Sequence, residues 1–463
     1  MFSSHTYIQR RNLLCHKLDK GLVVLMGNNE SPMNYADNTY PFRQDSCFLY
    51  YIGLDQPGLI ALIDVDENQT LLFGKEASID DIVWMGPQSS LAEKALKSGI
   101  TKSFDIDAIY DILNKAKAQD RTIHFLPPYR ADNKLWLSKA LNLPDEVLND
   151  LASLSLIKAI VQQREIKSEE EIEEIEKAVD TSVDMHVAAM KTAGPGMTEA
   201  QVAAEVHRIA LAQGGNISFP IIATINGQTL HNHYHGNILK EGDLFLLDAG
   251  AETARHYSGD LSSTFPAGKT FTPLQKTIYE AGLRAHRAAV NSLAPGKRFR
   301  DVHRAACLSI IDSMIALGLM KGNPADAFEQ GAHALFFPCG TGHQMGLDVH
   351  DMEDLGELWV GYDGEPKSTQ FGLKSLRFAK ELKPGHVFTI EPGIYFIPEL
   401  IDLWKTEKKH PDFLCWHEIE KFRNFGGIRN EEDFLITENG YRLLGNKKKP
   451  MTVGEVEAYR SAR

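Results

Sequence analysis

The sequence predicts two domains, an α/β domain over residues 1–160 and an α+β domain over residues 161–463. Three observations carry this. The chain has 463 residues, more than one hydrophobic core usually organises. Its first third alternates short apolar runs with amphipathic segments, the pattern of mixed strands and helices. Its remainder opens with two capped amphipathic helices before the first strand that carries acidic residues.

Within the first domain, Leu22–Met26, Leu59–Val65, Thr70–Phe73 and Thr122–Leu126 read as strands, being short aliphatic or β-branched runs. The segment Arg130–Gln163 reads as helical and carries the chain across to the second domain. There, Ser168 and Glu171 form a capping box. Ile172, Ile175, Val179, Val183, Val187 and Met190 follow at spacings of three and four, so one helix face is apolar until Gly194-Pro195-Gly196. Thr198 with Gln201 opens a second helix through Val202, Val206 and Ile209, which stops at Gly214-Gly215. No tandem repeat is visible, although the groups around residues 168–265 and 274–436 allow two similar halves.

Composition excludes several function classes. Hydrophobic residues at 43 % and charged residues at 24 % are ordinary for a folded soluble protein. A formal charge of −13 argues against nucleic acid, whose binding relies on clustered Lys and Arg. The basic cluster Lys447–Lys449 is expected to be a solvated tail. No stretch approaches the ~20 apolar residues needed to span a bilayer, and Met1–Gly21 lacks the apolar segment of a signal peptide. A soluble, cytoplasmic protein without a membrane partner is expected. Cys15, Cys47, Cys307, Cys339 and Cys415 are scattered and odd in number, which predicts reduced thiols. Cys339 is expected to be a small core residue and not a nucleophile.

The chemistry lies in dispersed acids. Leu244–Leu247 reads as a buried strand ending in Asp248-Ala249-Gly250, and the chain returns as His256-Tyr257-Ser258-Gly259-Asp260. A hairpin would set the two aspartates opposite one another on strands ~4.8 Å apart. Val387–Ile390 is a further strand with Glu391 at its end, and Pro392 restricts Glu391 to extended geometry. Arg429, Glu431 and Asp433 alternate along Ile428–Thr437 and share one face, which taken alone reads as a solvated edge strand. His343 sits between Gly342 and Gln344 in a glycine-rich loop, with His350 seven residues on. Each residue singly favours a bland structural role. Together, converging acids would need positive charge, because two carboxylates 4 Å apart repel by about 4 kcal/mol at an effective dielectric of 20. Oxygen ligands with one imidazole favour Mn²⁺, Co²⁺, Fe²⁺ or Zn²⁺.

These motifs resemble the pita-bread metallopeptidases, in the branch that contains aminopeptidase P and prolidase. The resemblance rests on Asp248-Ala-Gly, Tyr257-Ser-Gly-Asp260, Gly342-His343, Asp348-Val-His350-Asp, Thr389-Ile-Glu391-Pro-Gly-Ile-Tyr395 and Gly426-Gly-Ile-Arg429-Asn-Glu431. Phe42-Arg43-Gln44-Asp45-Ser46 and Trp84-Met85-Gly86 extend it to the N-terminal domain of that branch. It implies an α/β N-terminal domain and an α+β pita-bread catalytic domain.

By the same resemblance, Asp260 and Glu431 would bridge two divalent metals, Mn²⁺ being usual. Asp248 would complete one site, and His343 with Glu391 the other. A hydroxide held between the metals would attack the carbonyl of a bond preceding proline, with Glu391 managing the proton. His350 and His233 would contact substrate, His231 and His235 competing with His233 for that place. Arg429 would stand beside the bridging glutamate, and Trp84 would line the substrate pocket, of its own or a neighbouring subunit, a buried core tryptophan being the alternative. The implied partners are peptides with proline at the second position and a second copy of the chain, as a homodimer or larger homo-oligomer. Phe42–Ser46 with Tyr51-Ile52-Gly53 resembles aminopeptidase P, whereas the long Phe396–Phe425 segment resembles prolidase. Aminopeptidase P is favoured. A metal-free amidinohydrolase, a peptide-binding module and a methionine aminopeptidase fit the ligand set or the N-terminal third less well.

Overall fold

The computed structural model describes residues 1–462. They form two compact units, residues 1–164 with 352–359, and residues 165–351 with 360–462. Among the described residues no helix is long and apolar enough to cross a membrane.

The first unit is built on a five-stranded sheet. Its strands are β1 (Leu22–Met26), β2 (Ile60–Asp64), β3 (Gln69–Gly74), β4 (Lys102–Asp105) and β5 (Ile123–His124), in the order β4-β3-β2-β1-β5. β1, β2 and β3 run antiparallel, while β4 and β5 add parallel edges. Val24, Leu62 and Phe73 bury one sheet face against Ile109 and Leu113 of the helix Ala108–Ala118. The fifth strand is shorter than the apolar run predicts, because Pro127 and Pro128 follow it closely and cannot donate to a ladder. The single helical connection expected over Arg130–Gln163 is in fact broken into Ala131–Leu141, Leu148–Leu151 and Leu154–Arg164. Asn142 turns left-handed with φ +56°, and Pro144 lacks the N–H that would continue the helix.

The second unit repeats a pattern of two helices followed by strands. Helices Glu169–Thr192 and Glu199–Ala212 precede β6 (Asn216–Ile217), β7 (Ile222–Thr224), β8 (Leu244–Asp248), β9 (Ala251–Glu252) and β10 (Ser262–Pro266). Helices Pro273–Asn291 and Phe299–Ala316 precede β11 (Val387–Ile390), β12 (Gly393–Tyr395), β13 (Gly427–Arg429), β14 (Glu432–Thr437) and β15 (Gly440–Leu443). Both capping boxes of the first pair form, Glu171 accepting from the Ser168 backbone N–H at 3.0 Å and Gln201 from that of Thr198 at 2.9 Å. The sheets are β10-β8-β7 and β11-β14-β15, with β12 paired to β13 and β6 to β9. Phe245 and Phe265 anchor the core of the first sheet, and Phe299, Phe388 and Phe434 that of the second.

Two expectations are corrected here. The strand that returns against β8 is β10, so Asp248 pairs with Ser262 and not with Asp260. Between them the chain makes an excursion in which β9 pairs with β6 and His256 takes φ +66°. The run Ile428–Thr437 is not an edge strand: it breaks at Asn430-Glu431, and β14 lies between β11 and β15 with Asp433 fully buried.

Candidate metal centre

Close backbone approaches bring the acids together. A Cβ on Gly250 would lie 1.9 Å from the Gly259 carbonyl oxygen, and one on Gly259 would lie 2.8 Å from the backbone of Val179. Only glycine lets the two ends of the excursion meet. Asp260 thereby enters the cavity beside Asp248 although the two are not paired strand partners. On the other side, a Cβ on Gly342 would lie 1.9 Å from the Thr389 carbonyl oxygen. The loop through His343 packs onto β11, with Thr389 N–H donating to the His343 carbonyl at 3.0 Å and Glu391 N–H to that of Thr341 at 2.7 Å.

Asp248, Asp260, His343, His350, Glu391, Arg429 and Glu431 line one cavity of about 740 Å³, together with His231 and His233. Donor atoms of Asp260, His343 and Glu431 lie within 4.8 Å of one another. His343 Nε2 is 3.4 Å from Asp260 Oδ2 and 3.6 Å from Glu391 Oε1. Its Nδ1 is 3.1 Å from the Gln344 carbonyl, to which the N–H donates, so the Nε2 lone pair faces the acids. Burial keeps that imidazole below its ordinary pKa, as a neutral ligand requires.

The electrostatics are those of a site built for cations. Burial, with mutual repulsion added, raises the carboxyl groups of Asp260 and Glu431 well above the usual carboxylate range, and burial raises Glu391. Asp260 Oδ1 and Glu431 Oε1 are buried without a hydrogen-bond partner among the described residues. Their second oxygens are oriented: Ser262 Oγ donates to Glu431 Oε2 at 2.8 Å, and His343 faces Asp260 Oδ2. Buried carboxylate oxygens aimed at one another without donors fit divalent metals, since buried polar atoms otherwise find partners. Asp248 is held by Arg429 at 2.7 Å, and Arg429 also donates to Ser262 and Tyr395.

Other residues singled out by the sequence fall elsewhere. His235 Nε2 is engaged with the Ile221 carbonyl at 3.0 Å, which leaves His231 and His233 as the cavity histidines. Trp84 belongs to the other compact unit, on the helix Ile79–Met85, and is 85 % exposed, so it is not a core tryptophan. Cys339 lines the cavity, but burial pushes its thiol up to about 12, which keeps it protonated. No disulfide joins any of the five cysteines.

Lys449 requires a correction. It is not part of a solvated tail: its side chain is buried, donates to the Ser262 carbonyl at 2.9 Å, and has its amine lowered by burial to about 8. The buried acids Glu431 and Asp433 and the half-buried Glu432 supply the reason, since each favours a nearby cation. The sequence also gives no hint of Lys367, Lys374 and Arg377, three basic residues in the cavity wall. They lie in an irregular segment whose placement only the fold determines.

Comparison with known proteins adds an independent line. Residues 173–438 match the model of metallopeptidase family M24, and residues 7–124 that of the aminopeptidase P N-terminal domain. The Xaa-Pro dipeptidase of Homo sapiens is 32% identical over 465 residues, covering 97% of this chain and 92% of that protein. The structure of aminopeptidase PepP from Pseudomonas aeruginosa superposes with a TM-score of 0.81 at 27% identity, over 99% of this chain and 98% of that one. A zinc-substituted Escherichia coli aminopeptidase P in complex with product gives 0.79 at 25%, over 100% and 99%.

Proposed function

The chain belongs to metallopeptidase family M24, in its aminopeptidase P and prolidase branch, and we propose that it is an Xaa-Pro aminopeptidase, releasing the residue that precedes proline at a peptide N-terminus. The observation that carries the metallopeptidase reading is the set of buried, donorless carboxylate oxygens of Asp260 and Glu431 facing His343. Relatives that act on Xaa-Pro bonds supply the bond type.

In this reading Asp248, Asp260, His343, Glu391 and Glu431 hold two divalent ions, with Mn²⁺ first among those an oxygen-rich set accepts. When bound, such ions supply Lewis acidity and lower the pKa of water. The chain's own groups do the rest. Glu391 takes a proton at its carboxylate and returns it to the leaving proline nitrogen. His350, its ring 4.3 Å from that of His343 in an edge-on arrangement, stands at the cavity wall to donate to the oxygen of the scissile carbonyl. His231 or His233 contacts the substrate opposite. Arg429 holds Asp248 in place against the repulsion of its neighbours.

Chain-length preference rests on the cavity. Its volume of about 740 Å³ leaves room beyond proline for further residues, which supports the aminopeptidase reading. A second reading, Xaa-Pro dipeptidase, is favoured by Lys367, Lys374 and Arg377, a cationic wall that suits the terminal carboxylate of a dipeptide. Activity of Mn²⁺-loaded protein on a matched Xaa-Pro dipeptide, Xaa-Pro-Zaa tripeptide and longer peptide separates the two. Release of the first residue from the tripeptide supports the aminopeptidase; cleavage of the dipeptide alone replaces it with the dipeptidase. Cleavage of none, by protein that binds no metal, removes both.

A further inference from the structure

We propose that His303, Cys307 and His333 form an additional metal site, separate from the acid-rich centre, that takes a borderline cation of the Zn²⁺ class. His303 and Cys307 stand four residues apart on the helix Phe299–Ala316, so they share a face, and Cys307 Sγ lies 3.4 Å from His303 Nε2. His333, on the short turn Ala332–Leu335, closes the group: one donor atom from each residue lies within 4.8 Å of the other two. All three side chains are buried, none more than 1 % exposed.

The state of His333 points to a ligand. Neither of its ring nitrogens has a hydrogen-bond partner among the described residues, although its ring is stacked on Phe328 in the interior. A buried imidazole with two idle nitrogens is rare unless an ion or water occupies the gap. The position of His303 fits the same account. Its Nδ1 lies 2.8 Å from Thr341 Oγ1, a partner that can accept the Nδ1 proton, and its Nε2 lies on the thiol side, free to ligate in that tautomer. Burial keeps His303 and His333 uncharged at neutral pH, the form that binds metal.

The donor set also selects the ion. Two imidazoles and a thiol prefer Zn²⁺ or a similarly soft cation, whereas the carboxylates of the first centre suit harder ions such as Mn²⁺. Cys307 is a protonated thiol in the buried metal-free site, so binding forms the sulfur–metal bond as the thiol proton leaves to solvent. The ion would brace the loop that bears the candidate ligands. His303 holds Thr341, whose carbonyl accepts from the Glu391 N–H at 2.7 Å.

Cobalt substitution of the full chain tests this. Thiolate bound to Co²⁺ absorbs intensely in the near ultraviolet by charge transfer, and ligands of oxygen and nitrogen alone do not. The expected result is a band in the wild-type protein that persists in Asp260→Asn, bleaches on adding one equivalent of Zn²⁺, and is lost in Cys307→Ser and His333→Ala. No band in the wild type, an unchanged band in Cys307→Ser, or loss only in Cys339→Ser would overturn the proposal. If Cys307→Ser fails to fold, Cys307→Ala and the zinc displacement in the wild type decide it in the same way.

Discussion

At the scale of single residues, the first centre is defined by carboxylates that have no reason to be where they are unless something positive joins them. Asp260→Asn or Glu431→Gln keeps the shape and removes a charge. Either change should lower bound metal below the wild-type stoichiometry and reduce turnover by more than ~100-fold, beyond what loss of a group outside the ligand shell usually brings. Elemental analysis beside steady-state kinetics checks both. Proton competition gives a second expectation. In the metal-free fold the raised carboxyls of Asp260, Glu431 and Glu391 carry protons above their ordinary range, so they favour the folded chain at low pH and that benefit is lost as pH rises. Metal must displace those protons, and its affinity therefore rises with pH. The upward shift in melting temperature on adding Mn²⁺ should be larger at pH 8 than at pH 6; an equal or smaller shift would count against these carboxylates as ligands. Motif order marked the acids and His343 in the sequence. Lys449 and Arg377 were not legible there, because a basic residue in a loop carries no periodicity.

At the scale of elements, glycines decide whether the pieces meet. Gly342→Ala would force a methyl group against the Thr389 carbonyl, parting the His343 loop from β11. We expect a loss of about 1–3 kcal/mol in denaturant unfolding and a marked fall in metal occupancy, since His343 and Glu391 would no longer share a site. The capping box offers a contrast. Ser168→Ala should cost about 1 kcal/mol by the same measurement while leaving metal content unchanged, because the helix Glu169–Thr192 would lose a cap and nothing at the centre. Both capping boxes and both helix ends were readable from residue type and spacing. The pairing of β8 was not. A hairpin with the shortest return predicts Asp260 opposite Asp248, but β9 takes β6 as partner and moves the return strand two residues on.

For the whole molecule, one feature of surface and one of interior bear on behaviour in solution. The helix Ile79–Met85 has no buried residue, and Ile79, Val83, Trp84 and Met85 are each more than 60 % exposed. Such a face suits association with a second copy. Light scattering should find an oligomer that Val83→Lys with Trp84→Glu weakens, at unchanged melting temperature of the dissociated chain. Inside, burial depresses His186 and His286 to about 3, well below the ordinary 6.5. The unfolded chain protonates them first, so their contribution to stability is complete above pH 6.5 and is lost as pH falls towards 3, at about 1.4 kcal/mol per pH unit for each group. The melting temperature of the metal-loaded protein should therefore fall from pH 7 to pH 5. By itself the sequence determined the two capped helices, the strands β1, β2, β3, β8 and β11, and the candidate ligands, since caps, periodicity and motif order are local and survive in one dimension. Only the tertiary structure decided which acids lose their solvent, which cations stand against them, and that His303, Cys307 and His333 meet. Burial and proximity are set by how distant segments pack, and no spacing along the chain encodes them.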